Sequence, residues 1–368
     1  MPFKVEIERR VTDIPGWMPP AITIGAVLLA FIVCGIIFTL IGGEPFRVLG
    51  FFYRATFGSW PAFSDTLVKA TPLIFVGLAC TMAFKMKMWN IGAEGQLFMG
   101  AWAASAVVLV PLVPEGTPSF IVLSFMFVMG LIGGGVYGFI PGYLKARFQV
   151  NEIITTLMLN YVAFQWVNYW IFDRWSDAGF QMSPTFDRSA WLPRLADYAR
   201  QVSAFAGITL HLGVVIALVT TAAIWWVLAR SQWGYEIKLI GDNPEAARYA
   251  GVNIGRSMVW VMVLSGALAG LAGMVEVSGV VHRLQQQISP GYGFTGIIVA
   301  WLAKLNPILV IFVSILFGAL IVAGREIQPA GLSQMLQGLI LFFVISSDVL
   351  LRYRVRLVRS NAGQEVAA

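Results

Sequence analysis

Four carboxylates lie inside long apolar stretches of this chain: Glu94, Glu152, Glu276 and Asp348. A charge at mid-depth in hydrocarbon costs about 2.5–3.5 kcal/mol, so such groups must face protein, water or a solute. Asp348 is close enough to the end of its run to reach polar surroundings. Glu276 is not, and its role stays open. Glu94 and Gln96 open one apolar run just after Asn90. They read either as caps of a helix beside Lys85 and Lys87, or as polar contacts on a path through the protein. The densest polar set follows later: Asn151, Glu152, Thr155, Thr156, Asn160, Gln165 and Asn168. Asn151 and Thr155, and likewise Glu152, Thr156 and Asn160, recur every fourth residue, interleaved with Tyr161, Phe164, Trp166, Tyr169 and Trp170. Amides and hydroxyls beside aromatic rings suit a neutral, hydroxyl-rich solute such as a sugar or nucleoside. An ion path would call for more buried carboxylates or a row of Arg. The same Asn and Thr residues equally suit a role as glue between helices.

Other chemistries find no residues to carry them. His211 and His282 are the two histidines and lie far apart in the sequence, without metal-ligand spacing. Cys34 and Cys80 sit in apolar runs and read as small core residues rather than a disulfide. No nucleophile–His pairing suggests an enzyme, and no Gly-x-x-x-x-Gly-Lys-Ser/Thr stretch cradles a nucleotide. The expectation is a chain that is not an enzyme, holds no metal or cofactor, and takes no nucleic-acid partner.

The elements that position these residues follow from composition. The 368 residues are 58% hydrophobic and only 12% charged, against about 25% charged in soluble domains. Mean hydropathy is +0.76. The chain therefore reads as an all-α polytopic membrane protein with about ten transmembrane helices. The expected spans are 21–41, 66–84, 90–112, 119–143, 152–172, 208–229, 257–280, 292–304, 306–323 and 333–351. Residues 1–20 form a charged N-terminal segment, 21–351 the membrane domain, and 352–368 a polar tail. Residues 43–64 read as an aromatic-rich loop able to carry an interfacial or re-entrant helix. Residues 173–207 form a long loop of mixed charge. Placing Lys85, Lys87, Lys145, Arg147, Arg230, Lys238, Arg248 and Arg256 inside satisfies the positive-inside rule, and puts both termini in the cytoplasm. The net charge of +6 has the same source.

One polar stretch between two spans stands apart, Gly241 to Gly255. Glu245–Tyr249 is good helix-forming material, with Asp242, Asn243 and Pro244 as start signals and Gly251 as the stop. A short capped helix outside the bilayer, with Ala246 and Ala247 in its middle, offers a rigid handle to a partner.

Two segments also resemble each other. Gly92, Ala101, Trp102 and Ala104 align with Gly291, Ala300, Trp301 and Ala303. An odd number of spans separates the copies, so they run in opposite directions: an inverted internal repeat, which places a solute path at the repeat interface. Both copies open on broken, Gly-rich helix, and 292–304 is too short to cross alone. Phe294 and Thr295 thus join Asn90, Glu94, Gln96, Asn151, Glu152, Thr155, Asn160 and Trp166 as candidates for the path. A secondary transporter driven by an ion gradient would need one of Glu94, Glu152 or Glu276 as its ion site, and would leave the 241–255 helix unexplained.

Several stretches, taken in order, resemble one family. They are Ala70-Thr71-Pro72-Leu73, Asn90-Ile91-Gly92-Ala93-Glu94-Gly95-Gln96, Val150 to Tyr161, Gly241 to Ala247, and Gly291 to Ile297. Together they resemble the permease subunits of ABC importers for nucleosides and simple sugars, closest to the longer permease of nucleoside-type systems. The resemblance covers roughly residues 60–350. It implies a permease in the bacterial cytoplasmic membrane that couples through Asp242, Asn243, Pro244, Glu245, Ala246, Ala247 and Gly251 to a separate ATPase, where ATP and Mg bind. It also implies a second permease subunit, identical or homologous, an extracytoplasmic solute-binding protein, and surrounding lipid.

Overall fold

The sequence from Ser59 onward shows how one helix becomes the axis of the fold. Ser59 accepts a hydrogen bond from the Ala62 N–H at 3.3 Å and caps α3, Trp60–Lys85, with a proline in its first turn. From Pro72 to Phe84 the helix is apolar on almost every side, and nearly all of α3 is buried. A helix that is apolar all round is a core helix.

The computed structural model describes residues 3–9, 15, 17–110, 113–114, 116–326 and 331–359. Among these residues thirteen α-helices are connected in the order α1 (Met18–Leu40), α2 (Pro45–Phe57), α3, α4 (Ala93–Leu109), α5 (Ser119–Phe148), α6 (Glu152–Tyr169), α7 (Gly213–Arg230), α8 (Gln232–Asp242), α9 (Pro244–Tyr249), α10 (Ile254–Glu276), α11 (Tyr292–Leu302), α12 (Pro307–Glu326) and α13 (Leu332–Arg352). A single π turn extends α6 and another extends α10. Each of the ten expected spans contains a helix, and residues 43–64 contain α2. Among the described residues, six helices are long and apolar enough to cross a membrane, so this is a multi-pass membrane protein.

The chain divides into two compact units. In the first, Met1–Leu49 with Gln328–Ala368, α1 packs on α13. The face α1 buries is a stripe of Ala26, Ala30, Cys34 and Phe38 at every fourth position. The rest of α1, including Ile24, Leu28, Ile32 and Ile36, is apolar and exposed, as a surface solvated by lipid tails would be. The all-α expectation needs one correction here. Phe3–Arg9 and Tyr353–Arg359 form strands β1 and β2, paired antiparallel with Glu6 opposite Arg356 and Glu8 opposite Arg354. The reason is local: Phe3, Val5 and Ile7 alternate with Lys4, Glu6 and Glu8, a period of two rather than 3.6.

The second unit, Gly50–Ile327, carries the core. Helices α4, α5 and α10 pack against one another, and α3 packs on α10, α11 and α12. Glycine sets how close they come. A Cβ on Gly270 would lie 2.2 Å from Gly130 O, and one on Gly134 equally close to Gly266 O. One on Gly273 would lie 2.1 Å from Leu97 O. In lipid, where burying apolar surface does not drive helices together, such small-residue contacts hold them.

This unit has two distinct ends, joined by α3, which is about 39 Å long at 1.5 Å per residue. At the start of α3, Ser64 and Thr209 share a hydrogen bond of 2.9 Å, so the loop after α6 lies there. At its far end α8 presses on Lys85, where a Cβ on Gly241 would meet the Lys85 carbonyl at 2.1 Å. The helices α8 and α9 and the 173–212 loop therefore occupy opposite ends.

Candidate transport path and docking face

Local sequence chemistry builds the docking face. Asn243 caps α9: its Oδ1 accepts from the N–H groups of Glu245 at 3.0 Å and Ala246 at 3.1 Å, and Pro244 follows in the first turn. Gly251, at φ +78, closes the helix in the left-handed region, and the Val252 N–H reaches back to Ala247 O at 3.0 Å. Ala247 is buried, while Asp242, Asn243, Pro244, Glu245 and Gly251 are exposed and Ala246 is half-buried. Tyr249 stands almost fully exposed at 95%. The preceding α8 was not anticipated. Its signal is Ser231, which caps it by accepting from the Gly234 N–H at 2.9 Å. Together α8, the turn after α9 and the start of α10 frame a cavity of about 490 Å³, with Trp233, Arg256 and Trp260 in its wall.

The residues expected along the path fall into two groups. Asn90, Gln96 and Asn160 are buried and bonded to protein. The Asn90 amide donates to Gln96 Oε1 and Ser265 Oγ, both at 2.8 Å, and Gln96 donates back to Asn90 Oδ1 at 3.1 Å. Ser265 in turn donates to Ala79 O. Asn160 accepts from the Gly95 N–H at 2.8 Å and donates to Ile91 O at 3.0 Å. This network ties α3, α4, α6 and α10 together where α4 begins. Glu94 is buried too, and accepts a hydrogen bond from the Gly293 N–H at the start of α11.

Helix α6 explains the split. Its buried stripe is Glu152, Thr156, Asn160, Ala163 and Val167, at helical spacing. Glu152 pairs with Lys145 at 2.9 Å, and Thr156 donates to the Glu152 carbonyl. Asn151 caps the helix, accepting from the Ile153 N–H at 2.9 Å, and Thr155 donates to Asn151 O. The opposite face leaves Met158, Tyr161, Gln165, Trp166 and Tyr169 exposed. Of the polar set, therefore, the exposed Asn151, the half-buried Thr155, Gln165 and the half-buried Asn168 lie outside the packed face, the last two bonded to each other at 3.0 Å. In α11, Phe294 is exposed at 42% and Thr295 is buried.

Two charged features escaped the sequence reading. Lys69, buried in α3, lies 2.8 Å from Glu276 of α10, with side-chain exposures of 8% and 2%. The ring of Tyr292 lies 5.8 Å from the Lys69 ammonium. This is the partner that Glu276 requires. Asp348 has its side chain outside the described residues.

The second feature is in the long loop. Arg194 donates to the carbonyls of Gly279, at 2.6 Å, and Val280, at 3.1 Å, and contacts His282 Nε2. It thereby secures the loop to the π turn at the end of α10, where the carbonyls are not all used by the helix. Trp191 stacks on His282 with ring centroids 3.7 Å apart. Burial, with Arg194 next in importance, pulls the His282 imidazole down to about 4. Burial, then Arg194, pulls His211 down to about 3.

Comparison with known proteins accounts for this architecture. Residues 62–345 match the family described as the permease component of branched-chain amino acid transport systems. A glucose ABC transporter permease of Haloferax volcanii is 32% identical over the whole of this chain and 98% of its own length. A guanosine ABC transporter permease of Bacillus subtilis is 33% identical, over 83% of this chain and 86% of its own. A nucleoside ABC transporter permease of Lactococcus lactis is 30% identical, over 80% and 81%. The ion-gradient alternative is left without support. With a buried glycine-packed core, a capped helix exposed at one end and these relatives, the chain belongs to this family and is the permease subunit of an ABC transport system, a transport component rather than an enzyme.

Proposed function

We propose that the chain is the permease of an ATP-driven importer for nucleosides, with simple sugars as the neighbouring class, in the cytoplasmic membrane of a bacterium. The observation that carries the reading is α9. It is capped at both ends, exposed along Glu245 and Tyr249, and held at the end of the unit where Lys85, Lys145, Arg230 and Arg256 also lie. The concentration of cations argues that this end is cytoplasmic, where a soluble ATPase can reach it. With ten crossings both termini share that side. ATP and Mg bind on the partner ATPase, and α9 passes its motion to the spans.

Substrate class rests on the relatives and on the motif Asn90–Gln96. Two of the three relatives above are named for guanosine or nucleosides and one for glucose. The family description names branched-chain amino acids, whose two charged ends would want paired ionic contacts. The α6 face with Tyr161, Gln165 and Trp166 offers rings and an amide instead, which fits a neutral solute. We infer that this face meets a second permease subunit and lines the path between them, and that an extracytoplasmic binding protein delivers solute at the opposite end from α9. Asn90, Gln96 and Asn160 then hold the path's walls from behind.

The test is uptake of radiolabelled guanosine, uridine and glucose by cells that carry the permease and its partners. Glu245→Arg and Gly251→Asp should abolish energised uptake while membrane insertion stays intact. Wild-type rates in both variants would remove α9 from the coupling role.

A further inference from the structure

At the end of the second unit away from α9 lies a cavity of about 590 Å³ that no sequence motif points to. Its size is that of ordinary small-molecule sites. One wall is apolar, with Phe51, Val68 and Val322; the other carries Lys69, Arg194, Asp65 and Thr209. We propose that this cavity is a receiving site for the neutral hydroxylated solute, occupied when the solute first enters the permease. The proposal rests on the importer reading above, and adds the residues that hold the solute.

The argument is one of charge and unused hydrogen-bonding capacity. Formal charge in and just behind the wall sums to zero, Lys69 and Arg194 standing against Glu276 and Asp65. Lys69 is paired with Glu276, and the Arg194 Nε and Nη2 are spent on the Gly279 and Val280 carbonyls. Asp65 adds a carboxylate, held in place by the Thr209 hydroxyl, itself 2.9 Å from Ser64 Oγ. A phosphate or carboxylate ligand would meet this acid without a surplus cation to offset it. A hydroxyl group, which donates and accepts at once, meets both kinds of partner. The capacity is there. Among the described residues Asp65 Oδ2 and Arg194 Nη1 make no protein hydrogen bond, Lys69 keeps further N–H donors, and Glu276 Oε2, buried behind it, has no partner.

The apolar wall completes the match. Phe51 is exposed at 41%, an open ring against which the C–H face of a sugar or the flat face of a base can lie. A ring that is apolar on its face and hydroxylated at its edge has the same two-sided character as the cavity. An aliphatic solute would leave Asp65 and Lys69 desolvated without compensation.

Binding to the purified full-length chain in phosphatidylcholine nanodiscs tests this, with tritiated uridine, guanosine and D-glucose as probes. The wild type should bind at least one of them saturably. Asp65→Asn should weaken that binding by about tenfold, the effect of losing one hydrogen bond to a charged group. Phe51→Ala should also weaken it, and neither variant should shift the thermal unfolding midpoint. Equal affinity in wild type and both variants overturns the proposal. So does displacement of the probe by added phosphatidylglycerol, which would make the cavity a lipid headgroup site. Cells that import these solutes with a chain that binds none of them would overturn the cavity and leave the importer reading standing. Cells that import none would overturn both.

Discussion

Glu94, in the first turn of α4, accepts a hydrogen bond from the backbone N–H of Gly293, in the first turn of α11. The two helices hold the segments aligned above from the sequence, and Gly92 and Gly291 are their respective N-caps. The copies thus meet start to start, where each leaves N–H groups without a partner in its own helix, and one carboxyl group serves the junction. Gly293 has to be glycine: a Cβ there would lie 2.2 Å from the Glu94 nitrogen. Glu94→Ala should destabilise the protein by about 1–3 kcal/mol, because a buried N–H is left unpaired. Glu94→Gln keeps an acceptor oxygen at the same reach and should lose less. Thermal unfolding in detergent reads the difference, and equal losses would mean that the bond to Gly293 contributes nothing.

The Lys69–Glu276 pair makes a second prediction, because buried ion pairs and their halves behave differently. Removing one partner strands the other, at a cost of about 3–5 kcal/mol, whereas an apolar pair of similar volume is near neutral. Lys69→Met should therefore be strongly destabilising, and Lys69→Met with Glu276→Leu should regain most of the loss. A double mutant no more stable than the single one would show that the pair is not coupled. Solute binding is a separate readout, in which the double mutant should stay impaired.

Glycine packing between α5 and α10 gives a third. A methyl group on Gly270 has nowhere to go except into the backbone of Gly130, so Gly270→Ala should cost about 1–3 kcal/mol through overpacking. Gly25, in α1, has nothing within 4 Å of its notional Cβ. There Ala should be neutral or stabilising by up to about 1 kcal/mol, through helix propensity alone. A Gly270→Ala chain that matches the wild type in unfolding midpoint would mean the helices can part at no cost.

How far the sequence reached depended on the range of each interaction. The boundaries of α9 were legible because Asn243, Pro244 and Gly251 act within a turn of where they stand. Gly92 and Gly291 both stand as N-caps, of α4 and α11, but in different backbone conformations, with φ −85 and +96. The identity of Lys69 as a partner for Glu276 was not legible, because 207 residues separate them and a single lysine early in an apolar helix looks like an interfacial anchor. Nor could spacing tell the buried face of α6 from the open one. A period of four puts Glu152, Thr156 and Asn160 on one stripe, but only the tertiary fold says that the stripe meets α4 rather than a solute. The β1–β2 pair joins the two ends of the chain, so its alternation was visible and its partner was not.

Acidity should loosen the long loop, and the sign follows from two histidines. His211 Nδ1 accepts from the Gly213 N–H at 3.1 Å, and Arg194 sits against His282 Nε2. Both rings are thus held neutral, and His211 keeps its Nε2 buried without a partner. Charged groups around them are Arg194, Lys69 and Arg188, which oppose protonation, and Asp197, which favours it in His282. In the fold both pKa values, about 3 for His211 and about 4 for His282, lie below the ordinary imidazole value of 6.5 that the unfolded chain keeps. Their contribution is therefore fully present above that unfolded value, and is lost as pH falls through the interval toward the folded ones. For His211 the loss at pH 5 is about 2 kcal/mol, and His282 acts in the same direction. The unfolding midpoint of the wild type should drop between about pH 7 and pH 5, and His211→Gln, which keeps an acceptor for Gly213 but cannot titrate, should flatten part of that drop. A variant whose midpoint falls as steeply as the wild type's would place the acid sensitivity elsewhere in the chain.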